Sequence, residues 1–220
     1  MDWFKDLFID EAKAALDSKN NSGGDGGFVV SEDDTISEAT QISNLKNLRI
    51  RCPNVDALGD GAFQYCIGLT AVDFPSVTSV GDHAFLDCTN LTSVDFPAAT
   101  SIGNTAFRYC IGLTAVDFPA ATSIGNYAFL DCTNLDTVIL RNASSACQII
   151  VNAFRKTKIM TADGMPTGEG FIYVTSSLYE DYIANLTERA TAIVGDAAVA
   201  EQMVRAIFRK IEDYPEICGS

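Results

Sequence analysis

The stretch Cys88-TNLTSVDFPAATSIGNTAFRY, residues 88–109, recurs almost letter for letter along the middle of the chain. It is preceded by Cys66-IGLTAVDFPSVTSVGDHAFLD and followed by Cys110-IGLTAVDFPAATSIGNYAFLD, then by Cys132-TNLDTVIL. The period is 22 residues, and a fixed period of about 20–29 with recurring leucine is that of a leucine-rich solenoid. One such unit cannot close a core alone, so its neighbours must stack on it. Identical rungs also present an extended repetitive surface, which argues for recognition and against a single catalytic pocket.

Aligning the copies turns the repeat into columns. Leu69, Leu91, Leu113 and Leu135 form one apolar column; Ile50, Val72, Val94, Val116 and Val138 form a second; Phe74, Phe96, Phe118 and Leu140 form a third. Asp73, Asp95 and Asp117 sit between the last two, so the V-D-F run has the two-residue period of a short strand. Pro53, Pro75, Pro97 and Pro119 follow it and end it, because proline cannot donate to a parallel ladder. Val80, Ile102 and Ile124 are each followed by a glycine, Gly81, Gly103 or Gly125. A backbone angle forbidden to other residues is the expected reason for that glycine. The rung closes with Ala-Phe at 84–85, 106–107 and 128–129. Odd and even rungs differ: Tyr65 and Tyr109 alternate with Asp87 and Asp131, and Cys-Ile-Gly alternates with Cys-Thr-Asn, the mark of a duplicated 44-residue pair.

The string Ile-Gly-Asn-x-Ala-Phe, followed by Cys-x-x-Leu-x-x-Val-x-Phe-Pro, resembles the BspA-like leucine-rich repeat family over about Leu48 to Phe154. That family occurs in bacterial surface and secreted proteins, in some protists and in phage-associated genes of gut bacteria. The resemblance implies an adhesion or binding surface, no shared catalytic residue, and an extracellular, cell-surface or virion location. Gly170-FIYVTSSLYEDYIANL resembles the segment that caps such arrays, with Thr175 where the family more often has proline.

The expected fold is therefore an α/β solenoid of 22-residue rungs with a short parallel sheet on one face and a helical C-terminal cap. The expected divisions are residues 1–26 (amphipathic helix and Gly-rich linker), 27–47 (N-terminal cap), 48–156 (repeats) and 157–220 (C-terminal cap with two helices). In the cap, Phe171–Val174 reads as a last strand. Ser177 with Glu180 reads as a capping box, and Leu178, Tyr182, Ile183 and Leu186 as a helix face. Asp196 reads as the N-cap of a second helix, whose stripe is Val199, Met203, Val204, Ile207, Phe208 and Ile211.

A formal charge of −14 argues against nucleic acid and anionic membrane as partners. Met1–Asn20 lacks the basic leader and continuous apolar run of a signal peptide, and no segment reaches the length of a spanning helix; export by another route is the expectation. Trp3, Phe4, Leu7 and Phe8 recur at helical spacing within residues 1–17, ahead of a Gly-rich stretch. That face folds over the first rung, docks on a partner or a second copy, or lies on a membrane surface, the last opposed by its acidic polar side. Four cysteines, Cys66, Cys88, Cys110 and Cys132, share one column. Rungs about 4.8 Å apart in a line suit neither tetrahedral zinc nor disulfide geometry, so these are expected to be small core hydrophobes, as is Cys52. Cys147 and Cys218 fall outside the columns. No metal or cofactor is expected: the single histidine, His83, has no triad, and phosphate-binding and dinucleotide fingerprints are absent.

Three exposed sets remain as candidate contacts with a protein or a glycan. They are the aspartate row Asp73, Asp95 and Asp117; the hydroxyls beside it, Thr70, Thr92 and Thr114; and the tyrosines Tyr65, Tyr109 and Tyr127 near the turns. The first reading is a recognition or adhesion module. The second is a structural component of an assembly, such as a phage particle, attached by its N-terminal helix.

Overall fold

Each V-D-F run becomes a strand on one side of the coil, and the Ser-Val or Ser-Ile pair that follows becomes a two-residue strand on another. The structure, a computed structural model, describes residues 28–29, 48–51, 55–140, 148–149 and 151–217. The front strands are β1 (Phe28–Val29), β2 (Leu48–Arg51), β4 (Leu69–Asp73), β6 (Ser93–Asp95), β8 (Ala115–Asp117), β10 (Thr137–Leu140) and β12 (Phe171–Val174). The back strands are β3 (Ala57–Leu58), β5 (Ser79–Val80), β7 (Ser101–Ile102), β9 (Ser123–Ile124) and β11 (Gln148–Ile149). Among the described residues, the ladders between these strands are all parallel. The solenoid thus carries a sheet on two faces, one more than the sequence pattern announced.

The back sheet runs unbroken, in the order β11-β9-β7-β5-β3, whereas the front is two four-stranded pieces, β1-β2-β4-β6 and a second that begins at β8. Val94 at the junction is half-buried, although its column mates Val72 and Val116 are buried. The Phe96 ring is tilted by 34° from Phe118 at 6.5 Å, but by only 15° from Phe74 at 5.6 Å. A third side is held by turn-to-turn bonds such as Phe63 N–H to Ala84 O (2.6 Å), Phe85 to Ala106 (2.7 Å) and Phe107 to Ala128 (2.7 Å).

Inside, the columns pack as the sequence implies. Leu69, Leu91, Leu113 and Leu135 are fully buried, as is a column of small residues, Val77, Ala99 and Ala121. Phe63, Phe85, Phe107, Phe129 and Phe154 form a stack with centroids 5.1, 5.1, 5.2 and 5.5 Å apart and planes within 8° of parallel. Phe154 keeps its place in this stack although it lies 25 residues after Phe129. The four column cysteines are buried free thiols. Their S–H groups bond backwards to carbonyls, Cys88 to Phe63 (3.0 Å), Cys110 to Phe85 (3.1 Å) and Cys132 to Phe107 (2.9 Å). Burial pushes the Cys66 thiol up to about 12 and the other three up as well, so they act as donors and not as thiolate nucleophiles. Cys52, Cys147 and Cys218 lie outside the described residues.

The reason for the repeat glycine differs from the expectation. Gly81, Gly103 and Gly125 do not have positive φ; a Cβ on Gly103 would instead stand 2.5 Å from the carbonyl carbon of Gly81 and 2.6 Å from Asp82 N. The rungs simply come too close there for a side chain. Left-handed backbone falls two residues later, at Gly61, His83, Thr105 and Tyr127 (φ 65°, 61°, 53° and 56°), and again at Tyr65, Asp87, Tyr109 and Asp131 (φ 63–64°). Thr105 is β-branched, the residue type least suited to that region. Thr105→Asn should raise stability by up to about 1 kcal/mol, because asparagine tolerates this conformation. A thermal melt showing an unchanged or lower midpoint would count against strain at this turn.

At the C-terminal end, α1 (Ser176–Val194) and α2 (Ala197–Ile207) pack together, and β13 (Phe208–Lys210) joins the front sheet beside β12. Tyr182, Ile183 and Leu186 belong to the same core as the rungs. Asp196 caps α2, its Oδ1 accepting from Ala198 N–H (2.9 Å) and Val199 N–H (3.1 Å). The buried face of α2 is Ala200, Val204 and Ile207; Val199 is exposed. Phe208 and Ile211 are buried from β13 and the 3-10 turn after it, because the helix stops where the chain can pair with β12. The Ser177–Glu180 capping box does not form. The N-cap is Thr175, two residues earlier, and Glu212, 36 residues from Ser176, takes Ser176 N–H (2.9 Å) and Ser176 Oγ–H (2.7 Å) on its carboxylate. These bonds hold the Glu212 carboxyl below its ordinary range. Thr175 adopts φ −64°, the angle that proline would impose. Among the described residues, no helix is long and apolar enough to cross a membrane.

Candidate functional site

Three surfaces follow from this coil, and each inherits the repeat. The front sheet presents the aspartate row. Asp73 and Asp95 are register partners on β4 and β6, with Arg51 bonded to Asp73 (Nε to Oδ2, 2.9 Å) at the row's start. Asp117 does not continue the ladder from Asp95, because the sheet is interrupted between β6 and β8; its register partner is Ile139. From Ile139 onward the face turns apolar. Ile139 and Tyr173 are covered by Ile211, Tyr214 and Ile217, with Tyr173 against Tyr214 edge to face at 5.3 Å and the Arg209 guanidinium 3.9 Å over Phe171. The C-terminal segment therefore closes the acidic strip at one end.

Within the strip, Thr92 spends its hydroxyl on Thr70 O (3.0 Å). Burial, and then the Asp73 charge, push the Asp95 carboxyl above its ordinary value, against a smaller opposing pull from Arg51. A raised carboxyl disfavours folding where it is ionised, and the penalty disappears as pH falls below the ordinary aspartate range. Asp95→Asn should accordingly raise the melting temperature at neutral pH and low salt. Two charges about 4.8 Å apart repel by roughly 1 kcal/mol in water, and relief of the Asp95 carboxylate's burial adds to the gain. The difference between variant and parent should vanish near pH 3; a gain that persists there would exclude charge repulsion as its cause.

The second surface is a groove of about 510 Å³ on the back sheet. It is lined by Ser79, Ser101 and Ser123 together with the backbone of the close-approach glycines. Its rim is a chain of hydrogen bonds from backbone N–H groups to side-chain oxygens: Asp60 Oδ1 accepts Asp82 N–H (2.8 Å), Asp82 Oδ1 accepts Asn104 N–H (2.7 Å), and Asn104 Oδ1 accepts Asn126 N–H (2.9 Å). These side chains hold rung to rung.

The third surface is the turn edge. Tyr65, Tyr109 and Tyr127 are exposed there, at 56%, 37% and 36%. They are joined by two residues that the sequence reading passed over, Ile67 at 46% and Ile111 at 41%. Tyr65 and Ile67 flank Cys66 in a tight turn closed by Ile67 N–H to Tyr65 O (2.8 Å), and Tyr109 and Ile111 repeat it (2.8 Å). The signal was the alternation of Ile67 and Ile111 with Thr89 and Thr133 in one column. The even rungs answer differently. Asn90 reaches back to Ile67 O (2.6 Å) and Asn134 to Ile111 O (2.8 Å). Trp3, Phe4, Leu7 and Phe8 lie outside the described residues.

A family model described as the BspA type leucine rich repeat region matches residues 39–170 in six copies. The chain belongs to the BspA-type leucine-rich repeat family. No curated protein matches it. Among solved structures, this BspA-type chain is similar to a leucine-rich repeat protein of T. pallidum, at 24% identity and a TM-score of 0.48, over 68% of this chain and 63% of that one. It is also similar to a leucine rich cell surface protein of Faecalibacterium prausnitzii A2-165, at 22% identity and 0.48, over 73% of this chain and 39% of that one. The chain spans less than two thirds of either. Leucine-rich repeat proteins are in general binding proteins and not enzymes, so interaction or adhesion is the expectation for a BspA-type chain.

Proposed function

We propose that the chain is a non-enzymatic recognition module that holds a protein partner against its repeat surface, in the setting of a cell surface. The observation that supports this is the turn edge, where large apolar side chains recur in the open: Tyr65 with Ile67, and two rungs on, Tyr109 with Ile111. Exposed apolar groups arranged as a set mark interaction sites, and tyrosine anchors them well. Isoleucine offers no flat face for a sugar to stack on, which favours a protein over a glycan. The test is to expose the immobilised full chain to a random peptide array and a glycan array, beside the double variant Ile67→Ser/Ile111→Ser. Saturable peptide capture that the double variant loses is the expected result. Glycan capture alone would move the reading to a lectin, and capture from neither array would end it.

A further inference from the structure

The aspartate column between the tyrosines contains an internal comparison. Asp87 and Asp131 occupy equivalent places, two rungs apart, with the same left-handed backbone (φ 63° and 64°). Asp131 is buried and neutralised: Lys156 Nζ sits 3.0 Å from its Oδ1, and Arg108 Nε stands 3.9 Å from its Oδ2. Arg108 is further occupied by Tyr109, whose hydroxyl it reaches at 3.0 Å and whose ring it covers at 4.6 Å. Asp87 is half-exposed and, among the described residues, has no cation within salt-bridge distance. It lies on the rung between Tyr65–Ile67 and Tyr109–Ile111. An unneutralised carboxylate is therefore flanked on both sides by an exposed aromatic–aliphatic pair.

We propose that this edge docks an extended protein segment in which a lysine or arginine lies between two apolar side chains, the cation taking at Asp87 the place that Lys156 takes at Asp131. The proposal rests on the recognition reading above and gives its partner a chemistry. The charge is complementary, since the whole chain carries −14 and its field draws cationic segments toward it. The two Tyr–Ile pairs are two rungs apart, about 9.6 Å at the spacing of parallel strands, and in an extended segment a cation and the apolar side chains two residues before and after it share one face.

The experiment titrates the isotope-labelled full chain with synthetic pentapeptides that have lysine, arginine or glutamate at the centre and leucines on either side. Amide shifts and affinities are read by NMR. The lysine and arginine peptides should shift the amides of residues 65–67, 87 and 109–111, and should weaken as salt is added. Asp87→Asn keeps a residue that tolerates the left-handed turn; it should reduce affinity about fivefold, and Ile67→Ser/Ile111→Ser about tenfold. Asp181→Asn, exposed on α1, should change it less than about twofold. Equal binding of the glutamate peptide, or unchanged affinity in Asp87→Asn, overturns the proposal and leaves the general recognition reading standing. Absence of binding by every basic peptide also overturns it. Array capture that is insensitive to the edge variants would place recognition on another face.

Discussion

Phe107→Ala is expected to cost the fold about 3–5 kcal/mol. Phe107 is fully buried at the centre of the ring stack, 5.1 Å from Phe85 and 5.2 Å from Phe129, with Phe96 and Phe118 at 6.3 and 6.2 Å. Its removal deletes two stacked contacts, each worth about 0.5–1.5 kcal/mol beyond area, and leaves a hole between rungs whose backbones are already bonded at that level. Neighbouring rungs cannot close in without breaking the 2.7 Å bonds from Phe85 to Ala106 and from Phe107 to Ala128. At about 2–4 °C per kcal/mol for a chain of this size, the melting point should drop by roughly 10 °C. The shape of the transition is as informative as its midpoint. Stability in a solenoid is a sum of rung terms and interface terms, so weakening the central interfaces should uncouple the two ends and split or broaden the unfolding curve. A loss below about 1 kcal/mol, with a single sharp transition, would show that the stack is not a main source of cohesion.

Gly103→Ala should be nearly as damaging, although it adds only one methyl group. The added carbon would run into the Gly81–Asp82 peptide of the rung before it, at 2.5–2.6 Å from Gly81 C, Asp82 N and Gly81 O, and backbone bonded into a ladder cannot rotate away as a side chain would. Overpacking of this kind costs about 1–3 kcal/mol and sometimes more; the upper end applies here because the clash falls on the back sheet. Gly195→Ala is the matched control. Gly195 has φ 79° with nothing within 4 Å of the position a Cβ would take, so that substitution pays only for backbone strain, about 1 kcal/mol. Chemical denaturation of both variants ranks the two causes. If Gly195→Ala proved the worse, close approach would be the wrong account of the repeat glycine.

The contrast between those glycines also shows what a sequence can disclose about such a coil. Buried columns were legible because rungs share every inward position, so Leu91, Phe96 and Cys88 announce their places by repetition alone. The glycine column was equally visible, but repetition does not say whether a residue is small because of its own torsion or because of its neighbour's backbone. Torsion instead falls on Tyr65, Thr105 and Tyr109, residue types that advertise nothing of the kind. The C-terminal cap hid its helix start in Glu212, a partner too distant for any local pattern. The interrupted front sheet had no local signal either, since Ser93–Asp95 and Ala115–Asp117 share the same Val-Asp-Phe continuation. On the turn edge, Ile67 and Ile111 were passed over because isoleucine ordinarily reads as interior.

Asn90 and Gly112 bear on how such an array changes length over generations. A Cβ on Gly112 would stand 2.6 Å from Leu91 O, whereas Asn134 on the next rung donates to Ile111 O at 2.8 Å. Two asparagine rungs in succession would collide, and two glycine rungs would forgo a bond. Inserting or deleting one rung creates one of those junctions, while inserting or deleting a pair creates neither. Unequal recombination is therefore expected in steps of two, and each such step adds or removes one whole Tyr–Ile pair, so that the number of exposed pairs on the edge is inherited in integers.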